Sequence, residues 1–330
     1  MRLVKPSYEI IDMTDDMAVN IEKIARTCYK SENKITEGSA QKMVGALIRS
    51  QHEAMLEHEA FFFEIPTFDD YYKLLNHINA LRTAGYTCML RTTYFNRGIV
   101  AGNVRMWRDF IRITLRTANN GIIDSISYDA PVEVDNDFKF FFGDFGNQAY
   151  NLFKYFNLNR IDKETLDDME RIVHYPITVK FICDRAIANE IVRHRVASFA
   201  QESTRYCSYS KDQFNGEISC ICPFEFKEGT EEYNQFKEFC ESAEKQYMTL
   251  LAKGVKPQIA RNVLPLGLKT ELCMTATIEG WRHFFELRAC DATGPAHPQI
   301  KELAIPLLLE LKTKYPNDFP MHPVANPAET

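Results

Sequence analysis

The chain has 330 residues, of which 45% are hydrophobic, and its formal net charge is −6. A chain of this length can bury a large core, either as one domain or as one domain with an insertion. The negative balance disfavours a general nucleic-acid-binding protein, which carries a basic surface, and no run approaches the ~20 apolar residues needed to cross a bilayer.

Apolar spacing in the first 65 residues predicts helices over 15–30 and within 41–56, the second of which should end near Gln51-His52. The run 60–65 (Ala-Phe-Phe-Phe-Glu-Ile) then predicts a buried strand, which Pro66 closes. We expect these elements to belong to the core of the fold.

The stretch 66–176 differs from the rest. It combines a helix-like run at 103–116, aromatic-rich pieces, and loop sequence with Asn, Asp and Gly over 117–144. We interpret it as an insertion that packs on the strands at 60–65 and 177–182 or extends a subunit interface, with no part in the basic chemistry. Apolar contact area for that packing would come from five phenylalanines, Phe138, Phe140, Phe141, Phe142 and Phe145.

The last part of the chain alternates helix-like and strand-like segments. Hydrophobic patterning predicts strands over 177–182 and 271–278, and helices over 185–194, 230–253, 279–289 and 298–314. Gly254 is a C-cap candidate for the longest helix, the residues from Gln201 to Arg205 are expected in a loop, and 315–330 should wrap the surface.

Nine cysteines are scattered along the chain, and no apolar signal stretch opens the sequence. We therefore expect reduced thiols in a cytoplasmic protein. Cys220 and Cys222 would share one side of an extended segment, but no Cys or His pair with zinc spacing accompanies them. We expect no metal site.

The segment 193–206 carries the most chemical information. It reads Arg-His-Arg-Val-Ala-Ser-Phe-Ala-Gln-Glu-Ser-Thr-Arg-Tyr. Three guanidinium groups and an imidazole make a poor core but a good cradle for phosphate or carboxylate. A bare Arg-His-Arg is usually a solvated helix end, whereas Arg-His-Arg, seven residues and Ser should arise by chance on the order of once in a thousand chains this long.

This pattern resembles the signature of the flavin-dependent thymidylate synthases (ThyX). The segment 51–58 (Gln-His-Glu-Ala-Met-Leu-Glu-His) is similar to a second motif of that family, and 254–266 and 281–288 are similar to two more. The resemblance covers about 15–65 and 177–312. It implies one α+β domain over 1–330, with a mixed or antiparallel sheet flanked by helices, and 66–176 as a large insertion that compact members lack.

The resemblance implies reductive methylation of dUMP to dTMP. FAD would be the bound cofactor, with NADPH and methylenetetrahydrofolate as co-substrates, in a homotetramer whose flavin sites are built by several subunits. No partner beyond these small molecules is expected. A cofactor is needed because no side chain supplies a hydride. No Gly-x-Gly-x-x-Gly follows a strand, which disfavours a Rossmann flavoprotein.

The resemblance also implies roles for individual residues. Arg288 would act catalytically on the uracil, and His52 beside the flavin and the nucleotide. The residues expected to contact dUMP are Glu190, Arg193, Gln201, Ser203, Thr204, Arg205, Arg261 and Arg288. The residues expected to contact FAD are Ala54, Arg193, His194, Arg195, Gln201, Thr277, Glu279 and His283. Ser203 is assigned to binding, because no adjacent general base would activate it as a nucleophile.

The chain departs from the family pattern at several positions. Glu190 and Gln201 stand where Gln and Glu are common, Thr277-Ile278-Glu279 replaces Asn-x-Arg, and His283 replaces Asn. Two other interpretations remain open: another nucleotide-dependent flavin reductase, which uracil selectivity would distinguish, and a non-enzymatic nucleotide- or nucleic-acid-binding protein, which would lack flavin colour.

Overall fold

The computed structural model describes residues 1–117, 136–211 and 214–319. Its α-helices are, in chain order, α1 Met17–Tyr29, α2 Ser39–Arg49, α3 Phe68–Thr83, α4 Val104–Thr117, α5 Asn136–Phe142, α6 Asn147–Tyr155, α7 Asp168–His174, α8 Arg185–Ile191, α9 Glu231–Ala252, α10 Pro257–Ala260, α11 Ile278–Arg288 and α12 Pro298–Lys314. Its strands are β1 Arg2–Val4, β2 Ser7–Ile10, β3 Ala60–Ile65, β4 Arg91–Tyr94, β5 Gly98–Asn103, β6 Asn159–Ile161, β7 Pro176–Asp184, β8 Ser198–Gln201, β9 Ser219–Ile221 and β10 Lys269–Thr277. Helices beside sheets with antiparallel pairs confirm the α+β class.

The chain divides into two units, neither of which is one continuous stretch. The first unit comprises Met1–Met13, Lys23–Ile35 and Ile177–Thr330, and the second comprises Thr14–Glu22 and Thr36–Pro176. Within the described residues, no helix is both long enough and apolar enough to span a membrane.

The first unit is built on a four-stranded sheet in the order β2-β7-β10-β8. The outer pairs β2–β7 and β10–β8 are antiparallel, and β1 pairs in parallel with β9 in a separate two-stranded sheet. Helix α11 packs on the four-stranded sheet through buried aromatic rings, and the Trp281 indole N–H donates to the Ile177 carbonyl at 3.0 Å. The strands predicted at 177–182 and 271–278 are confirmed as β7 and β10.

The helices predicted in this unit are confirmed as α8, α9, α11 and α12, with one shift that affects the signature. Helix α8 ends at Ile191, and the chain then turns so that the Arg193 and His194 N–H groups donate to carbonyls three residues earlier. The prediction that Gln201 lies in a loop is wrong. Gln201 ends β8, because its backbone pairs with Leu272 in the sheet ladder.

The second unit is built on an antiparallel sheet in the order β4-β5-β3-β6. Strand β3 confirms the prediction for 60–65, and the other three strands all come from 66–176. The insertion therefore extends the sheet of β3 as well as packing on it. Its aromatic cluster is confirmed in part, since Phe138, Phe141 and Phe142 are buried and the last two lie against Phe61.

In the second unit, three predicted boundaries of helices and loops can be compared with the observed ones. The helix predicted within 41–56, with its end near Gln51-His52, ends at Arg49, because Gln51 adopts a left-handed conformation with φ of 57° that a helix cannot contain. A 3₁₀ helix follows at Glu53–His58. Helix α4 confirms the run at 103–116, whereas the loop predicted over 117–144 contains α5, and 118–135 lies outside the described residues.

Candidate functional site

Helix α8 leads from β7 into the signature, and a buried carboxylate fixes its start. Asp184 Oδ1 accepts a hydrogen bond from the Ile187 backbone N–H at 2.7 Å, and Gln299 Nε2 donates to Oδ2 at 3.0 Å. Burial raises the pKa of Asp184, and these donors partly offset that effect. This cap orients the seven-residue helix whose last turn carries Glu190 and precedes Arg193.

Arg288 lies between two side chains that the sequence analysis also singled out. Its Nε donates to His194 Nε2 at 3.0 Å, and its Nη1 donates to Glu190 Oε2 at 2.8 Å. The three residues come from α11, the signature and α8. The structure thus brings together the arginine expected at the uracil, one residue expected at dUMP and one expected at FAD.

His194 is neutral at physiological pH in this arrangement. The residue is buried, and its ring lies against Phe284 with 4.9 Å between centroids. Burial first, and then the positive charge of Arg288, lowers the pKa of His194 to about 4. Because Nε2 accepts from Arg288, the imidazole proton belongs on Nδ1.

The signature loop places Thr204 next to Arg261. Arg261 Nη1 donates to Thr204 Oγ1 at 3.3 Å, which joins the segment 254–266 to the signature. The Ser203 N–H donates to the Cys28 carbonyl at 3.0 Å, and the Ser203 hydroxyl accepts from the Arg205 N–H at 3.3 Å. The loop is therefore anchored by its backbone while its hydroxyl groups stay close to two arginines.

Four arginines of the signature and of the segment 254–266 carry charge that the described part of the chain does not neutralise. Unlike Arg288, none of them has a carboxylate within ion-pair distance among the described residues, and all are exposed. They are Arg193, Arg195, Arg205 and Arg261. Unpaired guanidinium groups at this density suit anions, and phosphate above all, because the guanidinium fork forms paired, charge-assisted bonds with its oxygens. The residues present thus fit phosphate-bearing ligands.

The residues expected around FAD are arranged less uniformly. His52 and Ala54 are exposed in the second unit, on either side of the first residue of the 3₁₀ helix. In the first unit the Thr277 hydroxyl accepts from the Gly280 N–H at 3.5 Å and so caps α11, while Glu279 and His283 are exposed. Gln201 Nε2 donates to Thr270 Oγ1 at 3.3 Å. Their roles toward the flavin remain predictions.

The sequence analysis missed a buried ionic cluster that begins inside the signature. Glu202 accepts from the Tyr209 hydroxyl and from Lys269 Nζ, each at 3.1 Å, and its side chain is fully buried. Glu271 accepts from Lys269 at 2.6 Å and from Lys30. The alternation Lys269-Thr270-Glu271 on an otherwise apolar strand was the available sequence signal.

These side chains line a cavity of about 310 Å³ in the first unit. Burial, the largest single effect, raises the pKa of Glu271, but the charges of Lys269 and Lys30 outweigh it and lower that pKa to about 2. Glu271 therefore stays ionised at neutral pH, and the cluster fixes the backbone that precedes Ser203.

Comparison with known proteins supports the family resemblance. The family described as "Thymidylate synthase complementing protein" (Thy1) matches residues 9–70 and 169–317. The flavin-dependent thymidylate synthase of Pyrococcus furiosus is 33% identical over 129 residues, which are 39% of this chain and 51% of that protein. The enzyme of the same name from Synechocystis is 32% identical over 132 residues, 38% of this chain and 61% of that protein.

The match spans about half the length of the first of these relatives. A UMP/dUMP methylase from Streptomyces cacaoi, PolB, aligns over 97% of this chain and 95% of its own with a TM-score of 0.41 and 16% identity. A likeness this weak supports no inference. The family match, in contrast, covers more than half of the residues, and the chain therefore belongs to the Thy1 family of thymidylate synthase complementing proteins.

Proposed function

We propose that the chain is a flavin-dependent thymidylate synthase, which converts dUMP to dTMP by reductive methylation. FAD is the bound cofactor, and NADPH and methylenetetrahydrofolate are the co-substrates. The observation that carries the proposal is the signature loop itself, where Arg261 donates to the Thr204 hydroxyl beside Arg205, while Glu190 and His194 hold Arg288 in place. The family match and the names of the relatives support it.

The phosphate of dUMP fits the loop around Thr204. Arg261 already reaches the Thr204 hydroxyl, and Arg205 is adjacent in sequence to that residue. Two guanidinium groups and the hydroxyls of Ser203 and Thr204 offer the donors that a phosphate dianion requires. We assign Ser203 to binding, since no general base is hydrogen-bonded to its hydroxyl within the described residues.

The uracil is assigned to Arg288. Methylation at C5 requires the base to become electron-rich, and a guanidinium fixed beside the carbonyl groups stabilises that developing charge. Glu190 and His194 hold the guanidinium in one orientation, so little reorganisation is needed when charge develops. Neutral His194 accepts the hydrogen bond without adding a competing positive charge.

FAD, when bound, supplies the hydride that completes the methyl group. Arg193, His194 and Arg195 would hold it. Five further residues stand at positions that resemble flavin contacts of the family and would also contact FAD: Ala54, Gln201, Thr277, Glu279 and His283. His52 would lie beside both ligands. We further propose a homotetramer that completes the flavin sites, and one functional domain over 1–330 in which 66–176 is the insertion.

Two measurements on the purified protein test the proposal. A flavin gives absorbance near roughly 450 nm, and turnover releases tritium from dUMP labelled at C5 only when the folate and NADPH are present. A yellow protein that reduces another nucleotide but leaves dUMP unchanged would indicate a different flavin enzyme. A colourless protein that binds nucleotide or nucleic acid and catalyses nothing would indicate a binding module.

A further inference from the structure

Helix α4 presents three arginines to the segment that carries His52 and Ala54. Arg105, Arg108 and Arg112 follow the spacing i, i+3 and i+7, so they lie on one face of the helix, here called the arginine face. We propose that the arginine face positions the segment 52–58 for the flavin. The proposal rests on the proposed function. It joins the segment 52–58, which lies within the family match, to arginines that lie outside it, since the match omits 71–168.

The strongest contacts of the arginine face converge on Glu53, which lies between His52 and Ala54 in sequence. Glu53 is buried, with 5% of its surface exposed. Its Oε1 accepts from Arg108 Nε at 2.9 Å and from Arg112 Nη2, and its Oε2 accepts from Arg112 Nη1 at 2.7 Å. Two guanidinium groups thus bracket one carboxylate and fix the backbone between two exposed residues.

The charge state of Glu53 makes this hold depend on both arginines. Burial, the largest single effect, raises the pKa of Glu53, but hydrogen bonds and charges from Arg112 and Arg108 outweigh it, so the pKa lies below its ordinary value. Glu53 is therefore ionised at neutral pH. If either arginine is removed, only one guanidinium group compensates the buried carboxylate of Glu53. The segment must then move, because a buried charge that is poorly compensated is strongly destabilising.

The arginine face is in turn held by the insertion. Arg108 has only 1% of its surface exposed, and it donates to the Phe141 carbonyl and, at 2.8 Å, to Asp144 Oδ1. The Phe145 ring lies 4.9 Å from its guanidinium carbon. These contacts hold the Arg108 guanidinium in place. It therefore cannot follow Glu53 if the segment shifts.

Helix α4 also holds the far end of the segment. Arg105 Nη1 donates to Glu57 Oε1 at 2.6 Å, and the Trp107 indole N–H donates to the Phe61 carbonyl at 3.2 Å, in the strand that follows. The 3₁₀ helix is thus fixed at both ends by one rigid element. A site built on a fixed element is more exact than one on a free loop.

The test uses Arg112→Met, because Arg112 is half-buried and its loss endangers folding less than loss of Arg108. Glu53→Gln removes the charge from the other side of the same contact. Arg116→Met is the matched control, since Arg116 lies on the same helix but is exposed. Hydrogen–deuterium exchange of the amides of 52–58 is measured first, in protein stripped of FAD.

We expect exchange over 52–58 to accelerate about tenfold in Arg112→Met and Glu53→Gln and to stay unchanged in Arg116→Met, a size typical of coupling through a shared network. FAD affinity, followed by flavin fluorescence, should fall by about the same factor in the first two variants. Arg112→Lys should recover part of it, because lysine restores the charge but not the paired geometry.

Unchanged exchange in both variants would overturn the hold of the arginine face on this segment. Faster exchange with wild-type FAD affinity would overturn its role toward the flavin. A wild-type protein that takes up no FAD at all would overturn the proposed function and the flavin role together. The exchange data on flavin-free protein separate that failure from the first one, because they do not depend on the cofactor.

Discussion

Arg288 lies between a carboxylate and a neutral imidazole, and this setting explains how an arginine can serve as a fixed electrostatic group. Glu190 compensates its charge and His194 accepts from its Nε without competing for protons. By its resemblance to the family a glutamine would be common at position 190, and the carboxylate found there adds a negative charge that an amide lacks. The proposed substrate must then engage Arg288 while Glu190 remains bound on the other side.

Arg288→Ala should abolish methylation while FAD remains bound, because the charge is needed most when the base becomes electron-rich. The measurement is dUMP-dependent tritium release together with the flavin absorbance of the purified variant. Arg282→Ala is the control, since Arg282 lies on the same helix but donates to the Asp318 carbonyl. If Arg288→Ala retained more than about a tenth of wild-type turnover, a loss of only ~1.4 kcal/mol, the assignment would be wrong.

The protonation of His194 predicts a pH dependence of stability. Its pKa is about 4 in the folded chain and about 6.5 when unfolded. As the pH falls below about 6.5, the unfolded state takes up a proton that the folded state does not, so the free energy of unfolding falls until about pH 4. The contribution at pH 5 should be about 2 kcal/mol, at ~1.36 kcal/mol per pH unit.

Urea denaturation at pH 7.5 and at pH 5 measures this contribution. In His194→Asn the difference between the two pH values should shrink by about 2 kcal/mol relative to wild type, because asparagine does not titrate. A variant that loses stability on acidification as steeply as wild type would show that other groups account for the effect.

At the scale of elements, the short helix α8 connects the sheet to the signature. Asp184→Ala should lower the free energy of unfolding by about 1–2 kcal/mol and also weaken dUMP binding, since the cap orients Glu190 and Arg193. Asp184→Asn keeps a side-chain acceptor, so it should lose less stability and less dUMP affinity. Thr230→Ala removes a cap of the same kind from α9 and should affect stability alone. Thermal melts and dUMP titration measure the two effects, and intact dUMP affinity in Asp184→Ala would contradict this role of the helix.

The elements show which features the sequence could predict. Strands such as β3 and β7 are largely apolar runs, and buried runs are a local signal that needs no knowledge of distant partners. The end of α2 was predicted to within two residues, near Gln51-His52, but its cause was not predictable, because a left-handed residue other than glycine leaves no compositional trace.

Local sequence patterns could not predict contacts between segments that are distant in the chain. Glu190 and Arg288 are 98 positions apart, and Glu53 and Arg108 are 55 positions apart. The site residues were predicted through resemblance to family motifs rather than through periodicity. The arginine face had no counterpart in those motifs, so only the structure could reveal it.

At the scale of the whole molecule, the proposal that several subunits build each flavin site predicts a concentration dependence. Dilution that dissociates the homotetramer should release FAD. Flavin fluorescence should then rise, because the protein no longer quenches it. Light scattering across the same dilution series reports the oligomer. Monomers that retain stoichiometric FAD would refute the shared site.

The discontinuous units also set the order in which parts of the molecule can be completed during synthesis. Strand β2 cannot pair with β7 until about 170 more residues have been made, which takes about 10–35 s at typical elongation rates. The second unit, whose last residue is Pro176, is complete by then. During this interval β2 exposes an unpaired edge, and its shortness and its central Glu9 limit association with other nascent chains. The insertion is therefore synthesised before the signature loop that the proposed function assigns to the phosphate.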